Sequence, residues 1–158
     1  MIALPKTVTL RRVWAWAMAS LSQFQLITQS LLLNDPKITS VNLANSDLDD
    51  TAVEILSNSL LSNDHCTSLN LSHNLFGTEG LAQIANLISN NSTLLKLNLS
   101  FNHLDSRSAL ALSNAISCSN SLKTINLQNC GPYCGIILMG MMRNWITWKC
   151  YRNKFFSY

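Results

Sequence analysis

Charged side chains are scarce in this sequence. Asp, Glu, Lys and Arg make up 12% of its 158 residues, against roughly 25% in an ordinary soluble domain. The charge is also unevenly distributed. Residues 1–37 have four basic side chains and one acidic side chain, and residues 38–130 have three basic and seven acidic side chains. Residues 131–158 have four basic side chains and no acidic one. A nucleic-acid-binding protein gathers basic residues on one face, so this distribution argues against a nucleic-acid partner.

The sequence lacks the even, regularly spaced cysteines of a disulfide framework. Its five cysteines stand at positions 66, 118, 130, 134 and 150. An odd count without such spacing argues against a disulfide-stapled secreted domain and favours a reducing compartment. A cytoplasmic location is therefore the expectation.

One long stretch, residues 13–33, has no charged side chain and follows Arg11 and Arg12. It contains three glutamines and several hydroxyl side chains, whereas a membrane-spanning helix needs about 20 predominantly apolar residues. An amphipathic helix that packs on the next element is the favoured interpretation. A signal peptide cut after Ala19, or a membrane anchor, stays open as the alternative.

Recognisable catalytic and metal-binding motifs are missing as well. The histidines, His65, His73 and His103, have no Ser or Cys beside them in a nucleophile signature. Cys130 and Cys134 would supply half of a zinc site, but the sequence has no second pair at zinc spacing. Phosphate-binding glycine loops are absent too. We therefore predict no catalytic residue, no metal site and no cofactor, and a protein that is not an enzyme.

What the sequence does have is a repeat of 28 residues. Leu43, Leu71, Leu99 and Leu127 follow one another at that interval. Fixed periods of this size are typical of solenoids, in which each unit buries its apolar side against its neighbours. Other apolar positions keep the same interval: Val41, Leu69, Leu97 and Ile125; Val53, Leu81 and Ala109; Leu56, Ile84 and Leu112; Leu60, Ile88 and Ile116.

Each unit changes its hydrophobic period midway. In the second unit Leu69 and Leu71 alternate as strand residues do, whereas Leu81, Ile84 and Ile88 recur at helical spacing. The unit is therefore predicted to be a strand, a turn, a helix and a return loop.

Two features are predicted at the start of the helices. One column of small residues would let helix and strand approach closely, and it consists of Ala52, Gly80 and Ser108. Acidic residues at the start of the first helix of the repeat are expected to cap free N–H groups rather than bind a cation; they are Asp47, Asp49, Asp50 and Glu54.

The pattern L-x-x-L-x-L-x-x-N-x-L, seen in "CTSLNLSHNLF" and "LLKLNLSFNHL", resembles the leucine-rich repeat. The 28-residue length and the helical second half are similar to the ribonuclease-inhibitor-like class of that family. The resemblance implies an α/β fold, a curved solenoid with parallel strands on the concave face and helices on the convex face. The strands are expected near residues 41–43, 69–71, 97–99 and 125–127.

The same resemblance assigns one polar column to the turn after each strand. Asn74 and Asn102 match the Asn of the repeat, and their amides are expected to bond to backbone groups that no strand neighbour satisfies. Ser46 stands at this position in the first unit and Cys130 in the fourth.

The two ends of the chain fit the repeat less well. Residues 1–37 are predicted to be a basic segment with a capping helix near 20–33, because a solenoid end must be covered. Residues 38–130 contain the leucine-rich repeats. Residues 131–158 are either a degenerate fifth repeat or an unrelated basic tail. In the first alternative the repeat positions are filled by Trp145, Trp148, Cys150, Asn153 and Phe155.

The outward positions of the strands form the surface that remains for function. Equivalent residues on stacked strands lie about 4.8 Å apart, so they make one compact patch with an aromatic, an apolar and a basic side chain in its third unit. Such a combination can anchor a protein partner. We therefore predict a protein-protein interaction module that binds through the concave face with Asn42, Asn70, His73, Leu95, Lys96, Asn98, Phe101, Lys123 and Asn126.

Two other functions stay open. Ran GTPase-activating proteins have the same class of repeat, so the resemblance would permit a regulator of a GTPase, with Arg107 at a helix start as its candidate arginine. The protein would be a secreted or membrane-tethered repeat protein if residues 13–33 are a signal or an anchor. The sequence identifies neither the partner nor the oligomeric state.

Overall fold

The computed structural model of the protein describes residues 23–134, residue 137 and the backbone of residues 147–149. From residue 23 to residue 126 helices and strands alternate along the chain. The elements are α1 (Gln23–Leu32), β1 (Ser40–Asn42), α2 (Asp50–Leu61), β2 (Ser68–Asn70), α3 (Thr78–Asn90), β3 (Lys96–Asn98), α4 (Ser106–Cys118), β4 (Thr124–Asn126) and β5 (Thr147–Lys149). None of the helices in this part of the chain has the length and apolar character needed to cross a membrane.

The described strands form one parallel sheet in chain order from β1 to β5. From β1 to β4 the register follows the repeat, so that Ser40 lies opposite Ser68, Ser68 opposite Lys96 and Lys96 opposite Thr124. Each helix from α1 to α3 packs against the next one in the chain. The predicted α/β solenoid of leucine-rich repeats is confirmed.

The strands begin and end one residue earlier than the repeat pattern predicts. In β1 the side-chain Oδ1 of Asn42 accepts a hydrogen bond from the N–H of Ala44, two residues on (3.2 Å), and this local bond turns the backbone out of the strand conformation. Leu43 nevertheless donates its N–H to the carbonyl of Asn70 in the next strand (2.9 Å). The inter-strand bonding therefore continues past the end of the regular strand.

The apolar columns form one continuous core between the sheet and the helices. Leu43, Leu71, Leu99 and Leu127 are between 0 and 4% exposed, as predicted, and the helical columns belong to the same cluster. Burying a leucine side chain contributes about 1.5–3 kcal/mol relative to leaving it exposed. The stacking of units, which buries these columns, is thus the main source of apolar stabilisation.

The sheet continues beyond the fourth unit. Strand β5 pairs with β4, with Trp148 opposite Ile125, which is the register that the repeat pattern predicts for Trp148. Trp145, Cys150, Asn153 and Phe155, the other positions predicted for a fifth repeat, lie outside the described residues. The domain boundaries at residues 37 and 130 stay predictions.

Side-chain amides form hydrogen bonds with the buried backbone groups of the turns that follow the strands. Asn74, which is 6% exposed, donates from Nδ2 to the carbonyl oxygens of Leu43 and Leu71 (both 2.9 Å). Its Oδ1 accepts from the N–H groups of Ser46 and Leu48 (both 3.1 Å). A single amide therefore serves the backbone of two successive units.

The next unit repeats this arrangement and forms a ladder. Asn102 donates to the carbonyls of Leu71 and Leu99 (both 2.9 Å), and its Oδ1 accepts from the N–H of Asn74 (2.8 Å). In the fourth unit Cys130 takes the position, and its Sγ donates to the carbonyl of Leu99 (3.0 Å). Because buried backbone groups must find partners, this turn ladder fixes each unit on the preceding one.

A second ladder, which the repeat pattern did not lead us to predict, ties the return loops together. Asn91 donates to the carbonyl of Leu60 in the preceding unit (2.8 Å) and accepts from the N–H of Leu94 (2.7 Å). Asn63 donates in the same way to the carbonyl of Leu31 (3.1 Å). The signal in the sequence is a polar column at the repeat interval, made of Asp35, Asn63, Asn91 and Ser119.

Helix caps also reach from one unit to the next. Asp49 caps its own helix by accepting from the N–H of Ala52 (2.8 Å), as predicted. Asp50 also caps free N–H groups, but those of the next helix, because it accepts from the N–H groups of Gly77 and Gly80 (2.7 and 2.9 Å) at the start of α3. Its carboxylate takes the place of the side chain that the N-cap residue Gly77 lacks.

The close approach at Gly80 involves a different neighbour from the predicted one. The repeat pattern predicts that Gly80 lets its helix approach the strand. A Cβ atom at this position would instead lie 2.7 Å from Oδ1 of Asp50 and 2.9 Å from Cβ of Phe76. Glycine is therefore needed here to make room for the cap that the preceding unit supplies.

Asp105 links the N-termini of α3 and α4. Its Oδ1 accepts from the N–H of Ser108 (2.7 Å) and from the Ser108 hydroxyl, and its Oδ2 accepts from the hydroxyl of Thr78 (2.7 Å). Hydrogen bonds lower the pKa of Asp105 to about 2. The bonds from the side chain and backbone of Ser108 have the larger effects, and the bond from Thr78 has a smaller one.

We expect Asn74→Ala to lower the free energy of unfolding by about 3 kcal/mol, because buried N–H and C=O groups of two units lose their partners, at about 1–3 kcal/mol for a buried group. The matched control is Asn90→Ala, since that amide is exposed and bonds only to Asn86 within its own helix. The control should lose less than about 0.5 kcal/mol. Urea unfolding followed by circular dichroism measures both, and equal losses would contradict the role of the turn ladder.

Asp105 should make stability depend on pH at the acidic end. Its pKa is about 2 in the folded chain, against an ordinary 3.8, so the unfolded chain takes up the proton first as the pH falls. The stabilisation is therefore complete above about pH 5 and is lost as the pH falls from about 4 to 2. Urea midpoints of the wild type and of Asp105→Asn, which keeps a cap acceptor but does not titrate, should converge over this range. A difference that stays constant from pH 6 to about 2 would count against this prediction.

Candidate protein-binding face

One side of the sheet points away from the helices and carries polar and exposed side chains. The central residue of each strand from β1 to β4 is buried, and its two neighbours are exposed or half-buried. We call this side, with the residues flanking its strands, the sheet face. It consists of Thr39, Ser40, Asn42, Asn45, Thr67, Ser68, Asn70, His73, Leu95, Lys96, Asn98, Phe101, Lys123, Thr124, Asn126 and Asn129.

The asparagine column of the sheet face is partly used by the fold itself. In all four residues, Asn42, Asn70, Asn98 and Asn126, Oδ1 accepts from the backbone N–H two residues further on, at 3.1–3.2 Å. The amide of Asn70 also donates to Oδ1 of Asn42 (2.9 Å). These predicted binding residues thus end the strands, and their amide oxygens already have partners within the chain.

The next column lies in the turns and has a left-handed backbone. The φ angles are 52° for Asn45, 55° for His73, 59° for Phe101 and 55° for Asn129. His73 therefore lies in the turn after β2. From the sequence it was predicted to lie at the edge of the strand. Asn at both ends of the column was the signal for this conformation, since Asn tolerates it better than other non-glycine residues.

His73 and Phe101 form a stacked pair at this end of the sheet face. Their ring centroids lie 4.1 Å apart and the ring planes are inclined by 12°. The N–H of His73 donates to the carbonyl of Ser100, and that of Phe101 to the carbonyl of Gln128. Backbone bonds to the next unit therefore hold both rings in position, and Phe101 still exposes 42% of its surface.

The other end of the sheet face is basic. Lys96 is the exposed first residue of β3, and Lys123 is exposed immediately before β4. Leu95 is half-buried between the two units, and its carbonyl accepts from the N–H of Lys123 (2.9 Å). The structure thus brings the predicted residues Leu95, Lys96 and Lys123 together, at the opposite end of the strands from the aromatic pair.

The described residues offer little for catalysis. They contain no group of three or more His, Cys, Asp and Glu residues that could hold a metal ion. Burial raises the pKa of the Cys66 thiol, which keeps it protonated and a poor nucleophile. Arg107, the candidate arginine of a GTPase regulator, is exposed near the start of α4, beside the capping residue Asp105 and outside the sheet face.

Comparison of the sequence with protein families agrees with the stacked units. A family model described as "Leucine Rich repeat" matches residues 62–85 and 90–113. Each match covers one strand and the first part of the helix that follows, and the second starts one repeat interval after the first. A search of the curated proteins gives no match.

Solved structures share the fold. "Leiomodin-1 Actin-Binding Site 2 (ABS2)" has a TM-score of 0.76 and 24% sequence identity, over 85% of this chain and 82% of that one. The tropomodulin C-terminal domain from Caenorhabditis elegans has a TM-score of 0.73 and 15% identity, over 85% of this chain and 86% of that one. At these identities the likeness concerns the fold. Taken with the family match over two units and the stacked units, it shows a leucine-rich repeat fold for this chain.

Proposed function

We propose that this protein is a non-enzymatic protein-interaction module whose partner docks on the sheet face. The single observation that carries the proposal is the His73–Phe101 pair, two partly exposed stacked rings at the end of the strands. Aromatic side chains with restricted freedom give much contact area at little entropic cost, and they dominate the binding energy of many interfaces. The pair is thus the proposed anchor.

Backbone strain supports a binding role for the Phe101 ring. A left-handed conformation costs a residue other than glycine about 1–3 kcal/mol, and Asn and His adopt it more readily than Phe. Asn occupies the same position in the first and fourth units, and His in the second. Phe at the third position is therefore a poorer choice for stability alone, which favours a functional reason for it.

The other exposed large apolar side chains of the described residues form no stacked ring pair; they are Leu32, Leu33, Ile55, Leu75, Leu110 and Tyr133. Exposed apolar residues are normal on soluble proteins. The aromatic pair on the sheet face is the more specific feature.

We propose a cytoplasmic location for the module. Cys130 contributes to the turn ladder as a thiol that donates to the carbonyl of Leu99, so the fourth unit uses the reduced form of this residue. The cytosol keeps thiols reduced. Oxidation of Cys130 would remove the donor and leave a buried carbonyl without this partner.

Our proposal for the partner is actin. Its support is the similarity of fold to the solved structure named as an actin-binding site of leiomodin-1, which extends over most of both chains. The two proposals are separable, because the sheet face can bind a protein whether or not that protein is actin.

Phe101→Asn should abolish partner binding while leaving the fold intact. The substitution removes the stack, worth about 0.5–1.5 kcal/mol, and relieves a left-handed strain of similar size, so the free energy of unfolding should change by less than about 1 kcal/mol. Proximity labelling in the source cell measures partners, and urea unfolding measures stability. Leu110→Asn on the helical side is the matched control and should keep every partner. An unchanged set of labelled proteins for Phe101→Asn would contradict the proposed face.

Actin binding can be measured by co-sedimentation with filaments and by gel filtration with monomers. We expect the wild type to bind at least one form, and Phe101→Asn to bind at least about tenfold more weakly, as for an interface anchor. Failure of the wild type to bind either form would rule out actin, and the labelling experiment would still decide whether the sheet face binds another protein.

A further inference from the structure

The asparagine column of the sheet face presents amide N–H groups to a partner. In Asn98 and Asn126, Oδ1 accepts from a backbone N–H of the turn that follows the strand (both 3.1 Å). The nitrogen Nδ2 stands on the other side of the amide group from Oδ1 and carries two N–H donors. Because the oxygen is held by the turn, the donors are directed away from that backbone N–H.

The chain itself uses one amide of this column as a donor. Asn70 donates to Oδ1 of Asn42 (2.9 Å), and the same bond one unit further on would join Asn98 to Asn70. Among the described residues that second bond is not made, and Oδ1 of Asn70 instead accepts from the N–H and the hydroxyl of Ser72 (3.2 and 2.9 Å). The amide N–H groups of Asn98 and Asn126 have no acceptor in this part of the chain.

These two donor groups lie beside the aromatic pair. Asn98 ends β3 and Asn126 ends β4, and equivalent residues of neighbouring strands lie about 4.8 Å apart. Phe101 stands in the turn directly after β3. Both asparagines are half-buried, and a partner that docks on the rings would exclude water from them. Since a buried donor without an acceptor is costly, the partner must bring acceptors to this place.

We infer that the sheet face binds a proline-rich segment of the partner protein in the polyproline II conformation. This inference rests on the proposed function and adds the chemistry of the partner. Proline has no backbone N–H, and a polyproline II helix makes no hydrogen bonds within itself, so its carbonyl oxygens are free to accept. The carbonyls accept from the amides of Asn98 and Asn126, and the proline rings pack on the His73–Phe101 stack, as in other aromatic surfaces that bind such segments.

A proline-rich segment fits these donors better than other ligands that carry acceptors. An ordinary extended segment brings as many backbone N–H groups as carbonyls, and its N–H groups would face a column whose oxygens are already bonded. A nucleic acid is bound by many gathered basic residues, whereas most residues of the sheet face carry neutral amide or hydroxyl groups. A segment that is already extended also loses less conformational freedom on binding.

The test uses the full chain labelled with ¹⁵N, in which side-chain NH₂ groups give resonances of their own, and three peptides of equal length. The peptides are decaproline, an alternating glycine–serine peptide and a peptide of glutamates. We expect decaproline alone to shift the NH₂ resonances of Asn98 and Asn126 and the backbone resonance of Phe101, with little dependence on salt because the groups in contact are neutral. Equal shifts with the glycine–serine peptide, tighter binding of the glutamate peptide, or unchanged NH₂ resonances of both asparagines would overturn the inference.

Asn98→Asp removes the donors at one position and keeps the turn. The aspartate still offers an oxygen to the N–H of Ser100, but it has no N–H to donate, so decaproline should bind at least about fivefold more weakly. The matched control is Asn114→Asp, the same change at an exposed position of α4, which should leave the affinity unchanged. Equal affinities of Asn98→Asp and the wild type for decaproline would contradict the role of these donors.

Proximity labelling with the same variant separates this inference from the proposed function. Loss of the partners with Phe101→Asn but not with Asn98→Asp would overturn the proline-rich partner and leave the proposed function standing. Retention of all partners by both variants would overturn both.

Discussion

Each unit of this solenoid has turns that are buried between its neighbours, and the backbone groups of those turns must find hydrogen-bond partners inside the protein. Asn74 and Asn102 meet this requirement with amides that bond to two units at once. Asn63 and Asn91 do the same for the return loops. The same place of the amide in the turn of successive units follows from this constraint, because an amide at another turn position would lie away from the carbonyls of the unit before it. Apolar burial supplies most of the stabilisation, but the two ladders determine which residues lie opposite each other.

The same constraint determines where binding residues can stand. Amides at the strand ends, such as Asn70 and Asn98, use their oxygens to turn the chain, and three of the eight acidic residues cap helix starts. The residue type can vary at the first position of each strand and at the left-handed turn position, where Lys96 and Phe101 lie. The proposed function is drawn from these positions, in which side-chain chemistry is not required by the fold.

Much of the fold was accessible from the sequence, because the 28-residue period records which side chains share a column. The interior leucines, the strand–helix alternation and the turn asparagines follow from it directly. The capping role of Asp50 was predicted but not the helix that it caps, since its side chain crosses to the next helix and a pattern along one unit does not show which unit a side chain serves. The left-handed turns at His73 and Phe101 were missed because Phe does not favour that conformation, and the Asn and His residues of the column were its only signal. For the binding face, the period predicts where side chains point, but the stacking of two rings depends on a backbone angle that apolar periodicity does not encode.

Amide hydrogen exchange of the native protein tests the central claim most directly. The N–H groups of Ser46, Leu48 and Asn74 bond to asparagine side chains of the turn ladder, whereas those of Leu71 and Leu99 bond to backbone carbonyls of the neighbouring strands. If the ladder holds the units in register, the first group should be as strongly protected as the second, because both open only when units separate. Exchange of Ser46, Leu48 and Asn74 at the rate of exposed loops, with Leu71 and Leu99 still protected, would contradict the account.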